Sequence, residues 1–313
     1  MRKENILITG ATGYIGHSLV QRLTETNFPV HCLVREESVE KLDPKDKTNI
    51  RIGDLLDAES LSSVFKGIDI VYYLVHNLDK KDNFEQLEKK AAINFVTAAK
   101  KAGVKRIIYL GALGNPEEKD LSPHLKSRKE VGEILRGSGI QVIEFQASII
   151  IGSGSLSFEM VRALSERLPV MIMPKWVSVL AQPICIRDVL EYLVQSIYLE
   201  TKNNEVFQIG GRDRVTYKDL ISTYSIKRGL KRLLIPVPVL TPGLSSLWLA
   251  LITPLYARVG RKLIESIKSP TIVQDRLASS VFPNIHPMGM EESIEYALRE
   301  KPIDIKIQGQ QAY

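Results

Sequence analysis

The stretch "ITGATGYIG", residues 8–16, restricts the fold of this chain more than any other segment. It places Gly10, Gly13 and Gly16 between a β-branched apolar run, "NILIT" (5–9), and a helical pattern over 14–24 whose Ile15, Leu19, Val20 and Leu23 share one face. Gly10 permits the tight turn, Gly13 lets backbone N–H groups approach a pyrophosphate, and Gly16 lets the helix pack on the sheet. The helix N-terminus adds the positive end of its dipole. A second strand, "PVHCLV" (29–34), follows about 20 residues on, which is the context that separates a dinucleotide-binding loop from a structural turn.

The same alternation continues. "NIRI" (49–52), "DIVYYLV" (69–75), "KRIIYLG" (105–111) and "IQVIEFQA" (140–147) read as strands buried on both faces. Between them, residues 83–102 form a helical pattern with Phe84, Leu87, Ala91, Phe95 and Ala99 on one side. Strand–helix alternation with right-handed crossovers predicts an α/β, doubly wound parallel (Rossmann) sheet. A further helix over 188–199, capped by Asp188, leads to a last strand, "EVFQIG". The expected division is a dinucleotide-binding domain of residues 1–151 and 184–210, with a smaller, partly irregular substrate or lid region of 152–183 and 211–313.

The second strand ends "HCLVREE". An acidic residue there would take the ribose 2′-hydroxyl of NAD, whereas an arginine suits a 2′-phosphate. Arg35 therefore favours NADP(H) over NAD(H), although Glu36 or Glu37 could reach the ribose instead. After the third strand, Asp54 in "GDLLD" is either an acceptor for the adenine amine or an ordinary turn aspartate. The expected cofactor contacts are Gly10, Thr12, Gly13, Tyr14, Ile15, Gly16, Arg35, Asp54, Leu55 and Val75.

Charge is uneven. The net +6 falls wholly after residue 200, since acidic and basic side chains balance before it. An acidic partner, a membrane surface or a merely solvated face would each account for that. No recognition motif accompanies the basic residues, so specific nucleic-acid binding is not expected. Cys32 and Cys185 lack metal-ligand spacing and read as reduced thiols of a cytoplasmic protein; the N-terminal apolar run is a first strand, too short for a signal peptide. From Leu233 to Ala257 there is no charged residue, and basic clusters flank the run within 227–268. Pro236, Pro238, Pro242 and Pro254 leave too short a helix to span a bilayer. Core packing, a lid on an apolar pocket, or peripheral membrane contact remain.

These motifs together resemble the short-chain dehydrogenase/reductase superfamily in its atypical, extended-like, NmrA-like branch. The loop "TGATGYIG", then "GDLLD", "YYLVHNL", "INFVTAAKKAGVKRIIYLGALG", "SPHLKSRKEVGEIL", "QASIIIGSGS" and "PICIRDVLEYLV" follow that branch in order and spacing over roughly the first 210 residues. The run from Arg232 to Val259 is similar to a bacterial subgroup of NAD(P)-binding oxidoreductases. The branch holds both catalysts and NADPH-binding scaffolds. The resemblance implies that Asn94 matches the family's helix asparagine and Lys129 its lysine, which would contact the nicotinamide ribose. Its tyrosine position is Leu125, and no Ser or Thr occurs from Arg106 to Asp120, where its serine belongs.

Neighbours offer substitutes. His76 and Asn77, after the fourth strand, lie where a nicotinamide ribose is expected, with a strand-end histidine as the alternative. Tyr109 reads as a core tyrosine. His124 adjoins the vacant position, but successive helix residues point about 100° apart, so it reads as a surface or capping histidine. The candidate catalytic set is thus Lys129, Asn94 and His76. Such a site suits an NAD(P)H-dependent oxidoreductase acting on a small apolar acceptor (a quinone, flavin or conjugated alkene) that takes hydride without a tyrosine–serine pair. The alternatives are a non-catalytic NADPH-binding redox sensor or assembly factor for a membrane complex and, more weakly, a nucleotide-sugar epimerase.

Overall fold

The computed structural model describes residues 3–42, 49–76, 83–114, 121–237 and 269–300. Its centre is a seven-stranded parallel sheet: β1 (Ile6–Thr9), β2 (Val30–Val34), β3 (Ile50–Ile52), β4 (Ile70–Tyr73), β5 (Arg106–Ala112), β6 (Gln141–Ala147) and a last strand, Glu205–Ile209. Those are the seven runs expected. The order places β1 centrally, with β2 and β3 to one side and β4, β5, β6 and Glu205–Ile209 to the other. Strand direction is parallel throughout, for example Ile6 beside both Val30 and Ile70.

Every residue of β1 and β4 is buried, as the uninterrupted apolar runs require of a sheet covered on both faces. Helix α1 (Tyr14–Thr24) packs on one face, and α2 (Phe84–Lys101) and α3 (Pro123–Arg136) on the other. The crossovers diverge between β1 and β4, which opens a crevice beyond their C-terminal ends. Thr9 clasps the two strands there. Its hydroxyl donates to the Tyr72 carbonyl at 3.0 Å and accepts from the Leu74 N–H at 3.2 Å.

The α2 stripe departs from expectation at one place. Its buried residues are Phe84, Glu88, Ala91, Ala92, Phe95 and Ala99, so a carboxylate takes the place on the buried face expected for Leu87.

The other described elements are β7 (Ile150–Ile151), α4 (Leu156–Arg167), β8 (Val170–Met173), β9 (Leu180–Ala181), β10 (Ile184–Cys185), α5 (Ile186–Gln195), β11 (the sheet strand Glu205–Ile209), β12 (Val215–Thr216), α6 (Tyr217–Lys227), β13 (Leu233–Pro236), α7 (Leu277–Val281) and α8 (Met290–Arg299). Helix α5 returns to the large sheet, where Tyr72 donates to the Leu193 carbonyl at 2.8 Å. Its N-cap is Cys185, and Asp188 is a buried carboxylate inside the first turn that accepts from the Met288 N–H at 2.7 Å. Asp188 therefore ties α5 to the C-terminal segment and does not cap the helix.

Phe158, Leu164, Leu220, Tyr224 and Ile294 form a separate small core. Residues 277–285 were grouped with that region in the sequence, yet Ala278, Phe282 and Ile285 join the core of the large sheet. The Phe282 ring lies 5.3 Å from Phe207 and 5.6 Å from Tyr192, completing an aromatic cluster around Phe145. Cys32 and Cys185 are buried and form no disulfide with one another. The uncharged run beginning at Leu233 is described only to Val237, and the remainder lies outside the described residues. Among the described residues, no helix is long and apolar enough to cross a membrane.

Candidate functional site

The glycine loop closes the crevice from below. Gly10 has φ +71°, and a Cβ there would stand 2.7 Å from the Leu74 carbonyl oxygen; only glycine fits. A Cβ on Gly16 would collide with the Gly10 carbonyl, so the first turn of α1 lies directly on the loop. The Gly13 N–H donates to the Gly10 carbonyl at 2.9 Å, and among the described residues a Cβ on Gly13 would meet only that oxygen. Gly13 is the N-cap of α1 and no side chain caps it. Among the described residues no side chain takes the first-turn N–H groups of α1, the groups a pyrophosphate would use. Thr12 is partly exposed beside it and Ile15 packs on the core. The Tyr14 hydroxyl lies against Gly152, and burial raises its phenol.

Arg35 stands at the end of β2, half-buried, 3.2 Å from the Glu37 carboxylate. Asp54 follows β3 and forms an Asx turn, accepting the Leu56 N–H at 2.9 Å. Leu55 is buried, and its carbonyl accepts from the Asn94 side-chain amide at 2.8 Å. Asn94 thus holds the loop after β3. Val75, past the end of β4, offers its carbonyl to Arg128 at 3.4 Å. Asn77 lies outside the described residues.

Helix α3 brings together what spacing alone left apart. Ser122 caps it, accepting the Leu125 N–H at 3.3 Å, and Pro123 occupies its first turn. From this start His124, Ser127 and Arg128 lie at i, i+3 and i+4 on one face, turned to the strand ends and α2. The His124 Nε2 meets the His76 Nε2 at 2.9 Å. The other nitrogen of His76, Nδ1, contacts the Glu88 carboxylate, whose second oxygen accepts from the Ser127 hydroxyl at 2.5 Å. Arg128 donates to the Leu110 carbonyl and stands 4.9 Å over the Tyr109 ring. Burial alone would raise the Glu88 carboxyl; the hydrogen bond and charge of His76, with Arg128 and Ser127, outweigh it and hold it at about 2.

Lys129 falls one step further round α3 and is exposed. It lines a polar cleft with Gln146, Gln208 and the Arg136–Glu144 ion pair, away from the glycine loop. The residue aimed at the ends of β4 and β5 is Arg128. Leu125 lies between the two faces and borders both that cleft and a largely apolar cavity of about 120 Å³. The cavity is walled by Leu113, Ile149, Met160, Leu164 and Ile221, with His124 at its edge. Tyr109 is fully buried; burial pushes its phenol up to about 12, and it donates to the Arg128 carbonyl at 2.9 Å.

The profile of the NmrA-like family matches residues 2–164, just over half of the chain. The chain belongs to the NmrA-like family. That segment of this NmrA-like protein carries the glycine loop, His76, Glu88, His124 and Arg128. Phenylcoumaran benzylic ether reductase of Betula pendula is 34% identical over 121 residues, and the alignment spans 36% of each chain, little more than a third of that relative's length. The photosystem II assembly factor Ycf39 of Cyanophora paradoxa is 23% identical over 75% of this chain and 72% of its own. Sanguinarine reductase of Eschscholzia californica is 24% identical over 67% of this chain and 90% of its own. Among solved structures, the Citrobacter sp. triphenylmethane reductase complexed with NADP(H) superposes with a TM-score of 0.73 at 19% identity, covering 94% of this chain and 99% of that one. The NADPH-dependent quinone oxidoreductase of Escherichia coli gives 0.72 at 18%, covering 94% and 100%. These two likenesses are of fold.

Ser127, Arg128 and Glu88 were missed by sequence reasoning and His124 was read as a surface or capping histidine, although two signals were present. One is a polar i, i+3, i+4 triplet directly after a helix cap. The other is a glutamate on the apolar stripe of α2, where a carboxylate is kept only if partnered.

Proposed function

We propose that this chain is an NADP(H)-dependent reductase of a small apolar acceptor such as a quinone, a flavin or a conjugated alkene. The observation that carries the reading is the largely apolar cavity bounded by Leu113, Ile149 and Leu164, with His124 at its edge in contact with His76, which in turn meets Glu88. When bound, the dinucleotide supplies a hydride. Gly10, Gly13 and Gly16 would hold its pyrophosphate at the start of α1, and Arg35 its 2′-phosphate. Asp54 and Leu55 would border the adenine, and Val75, Arg128 and His76 the nicotinamide end. Lys129, exposed beyond that line, would reach the ribose only by turning back across α3. Asn94 acts through the Leu55 carbonyl and so sets the adenine loop. The tyrosine position is Leu125 and no Ser or Thr occurs from Arg106 to Asp120, so acceptors that delocalise the added electron pair suit the site better than simple ketones. Reductases among the relatives support this reading, as do those whose structures were solved with NADP(H) or NADPH.

The test is NADPH oxidation by purified protein against panels of quinones, flavins, conjugated alkenes and simple ketones. Turnover confined to simple ketones would overturn the acceptor class. Tight NADPH binding with no turnover on any panel favours the second reading, a non-catalytic NADPH-binding assembly factor or sensor. The likeness to an assembly factor over most of both chains supports that reading.

A further inference from the structure

We propose that the polar cleft beneath helix α3 takes a carboxylate carried by the acceptor, so that the substrate class is an apolar ring system with a short acidic arm. The proposal rests on the reductase reading for what fills the apolar cavity, and it adds the charge of that molecule and the way it lies. Leu125, Lys129, Gly132 and Arg136 follow one another along α3 at i, i+4, i+7 and i+11, a spacing that keeps them on one stripe. Gly132 lets the helix come down on the sheet here: a Cβ would stand 2.8 Å from the buried Glu144 carboxylate. Opposite the stripe, Glu144 and Gln146 are two apart on β6, and Gln208 of β11 sits beside Gln146, so the three share one face of the sheet. Lys129, Arg136, Glu144, Gln146 and Gln208 line a cleft of about 130 Å³.

The hydrogen bonds already made fix what the cleft still offers. A carboxylate can only accept, so the Gln146 amide turns its Nε2 to Glu144, at 2.8 Å. The second Glu144 oxygen accepts from Nη1 of Arg136. Both oxygens of the buried acid are thus engaged. A backbone N–H can only donate, so Gln208 turns its Oε1 to the Gln274 N–H at 2.8 Å, and its Nε2 is left without a described partner. The remaining guanidinium nitrogens of Arg136 and the ammonium of Lys129 likewise have no partner among the described residues. What is left unspent is mainly donors, and Arg128, Lys129 and Arg136 outnumber the one described carboxylate of the lining, Glu144. A singly charged group that only accepts fits such walls. A carboxylate is both.

The cleft and the apolar cavity adjoin, since Ala112 and Leu125 line both. The described lining of the cavity carries hydroxyls, among them Ser148 and Thr271, which bond to one another at 2.6 Å, but no lysine or arginine. A molecule with an apolar ring and an acidic arm therefore lies one way round: the ring against Leu113, Ile149 and Leu164, the arm past Leu125, the carboxylate beside Lys129. Lys129 is exposed, so solvent and salt screen its charge. The preference for the acid is accordingly of the order of tenfold, between that of an exposed ion pair and that of a buried charge-assisted hydrogen bond.

The experiment compares, on the full chain, two naphthoquinones that differ only at the end of a short alkyl arm, one a carboxylic acid and the other its primary amide. The matching naphthalenes, which take no hydride, report binding without turnover by calorimetry in the presence of NADP⁺. Wild type should bind the acid about tenfold more tightly than the amide in both series, less so at high salt, with the difference in KM rather than kcat. The acid-to-amide ratio should fall to about one in Lys129→Met and invert in Lys129→Glu, and NADPH affinity is followed by fluorescence in each variant. Equal binding of acid and amide by wild type, tighter binding of the amide, or a preference that survives Lys129→Met overturns the carboxylate site, while reduction of the amide quinone leaves the reductase reading standing. A ratio unchanged in Lys129→Met together with weakened NADPH binding assigns the lysine to the cofactor ribose and overturns the site as well. A Lys129-dependent preference among the naphthalenes, with NADPH oxidised by neither quinone, upholds the carboxylate site and removes the reductase reading alone.

Discussion

Tyr109 and Arg128 hold one another by two contacts. The Tyr109 phenol donates to the Arg128 carbonyl at 2.9 Å, and the Arg128 guanidinium carbon lies 4.9 Å from the Tyr109 ring centre. The guanidinium is thereby fixed at the ends of β4 and β5, donating to the Val75 and Leu110 carbonyls while 9% exposed. Arg128→Leu strands two carbonyls and should cost about 2–5 kcal/mol in denaturant unfolding. Tyr109→Phe loses one hydrogen bond and should cost about 1 kcal/mol. If the two substitutions cost the same, the guanidinium is not what braces the strand ends.

Gly10→Ala places a Cβ at φ +71° and 2.7 Å from the Leu74 oxygen. The backbone strain alone is worth about 1–2 kcal/mol, and the loop must also shift from under α1. A lowered melting temperature together with loss of NADPH binding is expected. Gly67→Ala serves as control: it has φ +75° with nothing within 4 Å, so it should lower stability and leave NADPH affinity alone.

Arg35→Ala reports on cofactor choice. A charge-assisted phosphate contact is worth about 1.5–3 kcal/mol, so NADPH affinity should fall roughly 10–150-fold while NADH affinity barely changes. Removing Glu37, 3.2 Å from Arg35, should raise NADPH affinity modestly by freeing the guanidinium. Fluorescence titration of both cofactors decides it, and an unchanged preference in Arg35→Ala sinks the assignment.

Glu88 sets an acid limit on stability. Its pKa is depressed from 4.5 to about 2, so its contribution is complete above pH 4.5 and is lost as pH falls towards 2. By linkage that contribution is about 3 kcal/mol. Glu88→Gln should lose stability of this order at pH 7 and show a flatter decline between pH 4.5 and 2 than wild type. Unfolding curves measured across that range that run parallel would contradict it.

Leu125 is 9% exposed and borders both cavities. Leu125→Ala should cost about 2–3 kcal/mol through the enlarged void. Under the proposed function, its rate of quinone reduction should stay within a few-fold of wild type, because a leucine side chain has no proton to give. A loss as large as that of a catalytic group would restore the tyrosine-equivalent role to this site.

The seven strands, the helices between them and the glycine turn were legible from the sequence alone. Each is a local property: uninterrupted β-branched runs for strands buried on both faces, a 3.6-residue stripe for helices, and a left-handed φ that only glycine adopts without strain. The α/β fold follows because such elements in alternation have few ways to bury their apolar faces. The use made of α3 was not local. Spacing puts Leu125 and Lys129 on one line and His124 and Arg128 on the next, and nothing in the helix itself says which line meets the strand ends. That rotation is set by packing against α2 and β5, and it turns Lys129 to solvent and His124 to His76. The Glu88–His76 contact joins a helix to the segment after β4, and residues 277–285 leave the small region because Phe282 completes the Phe145–Phe207–Tyr192 cluster. These choices belong to tertiary structure, since each depends on which distant surfaces exclude water together.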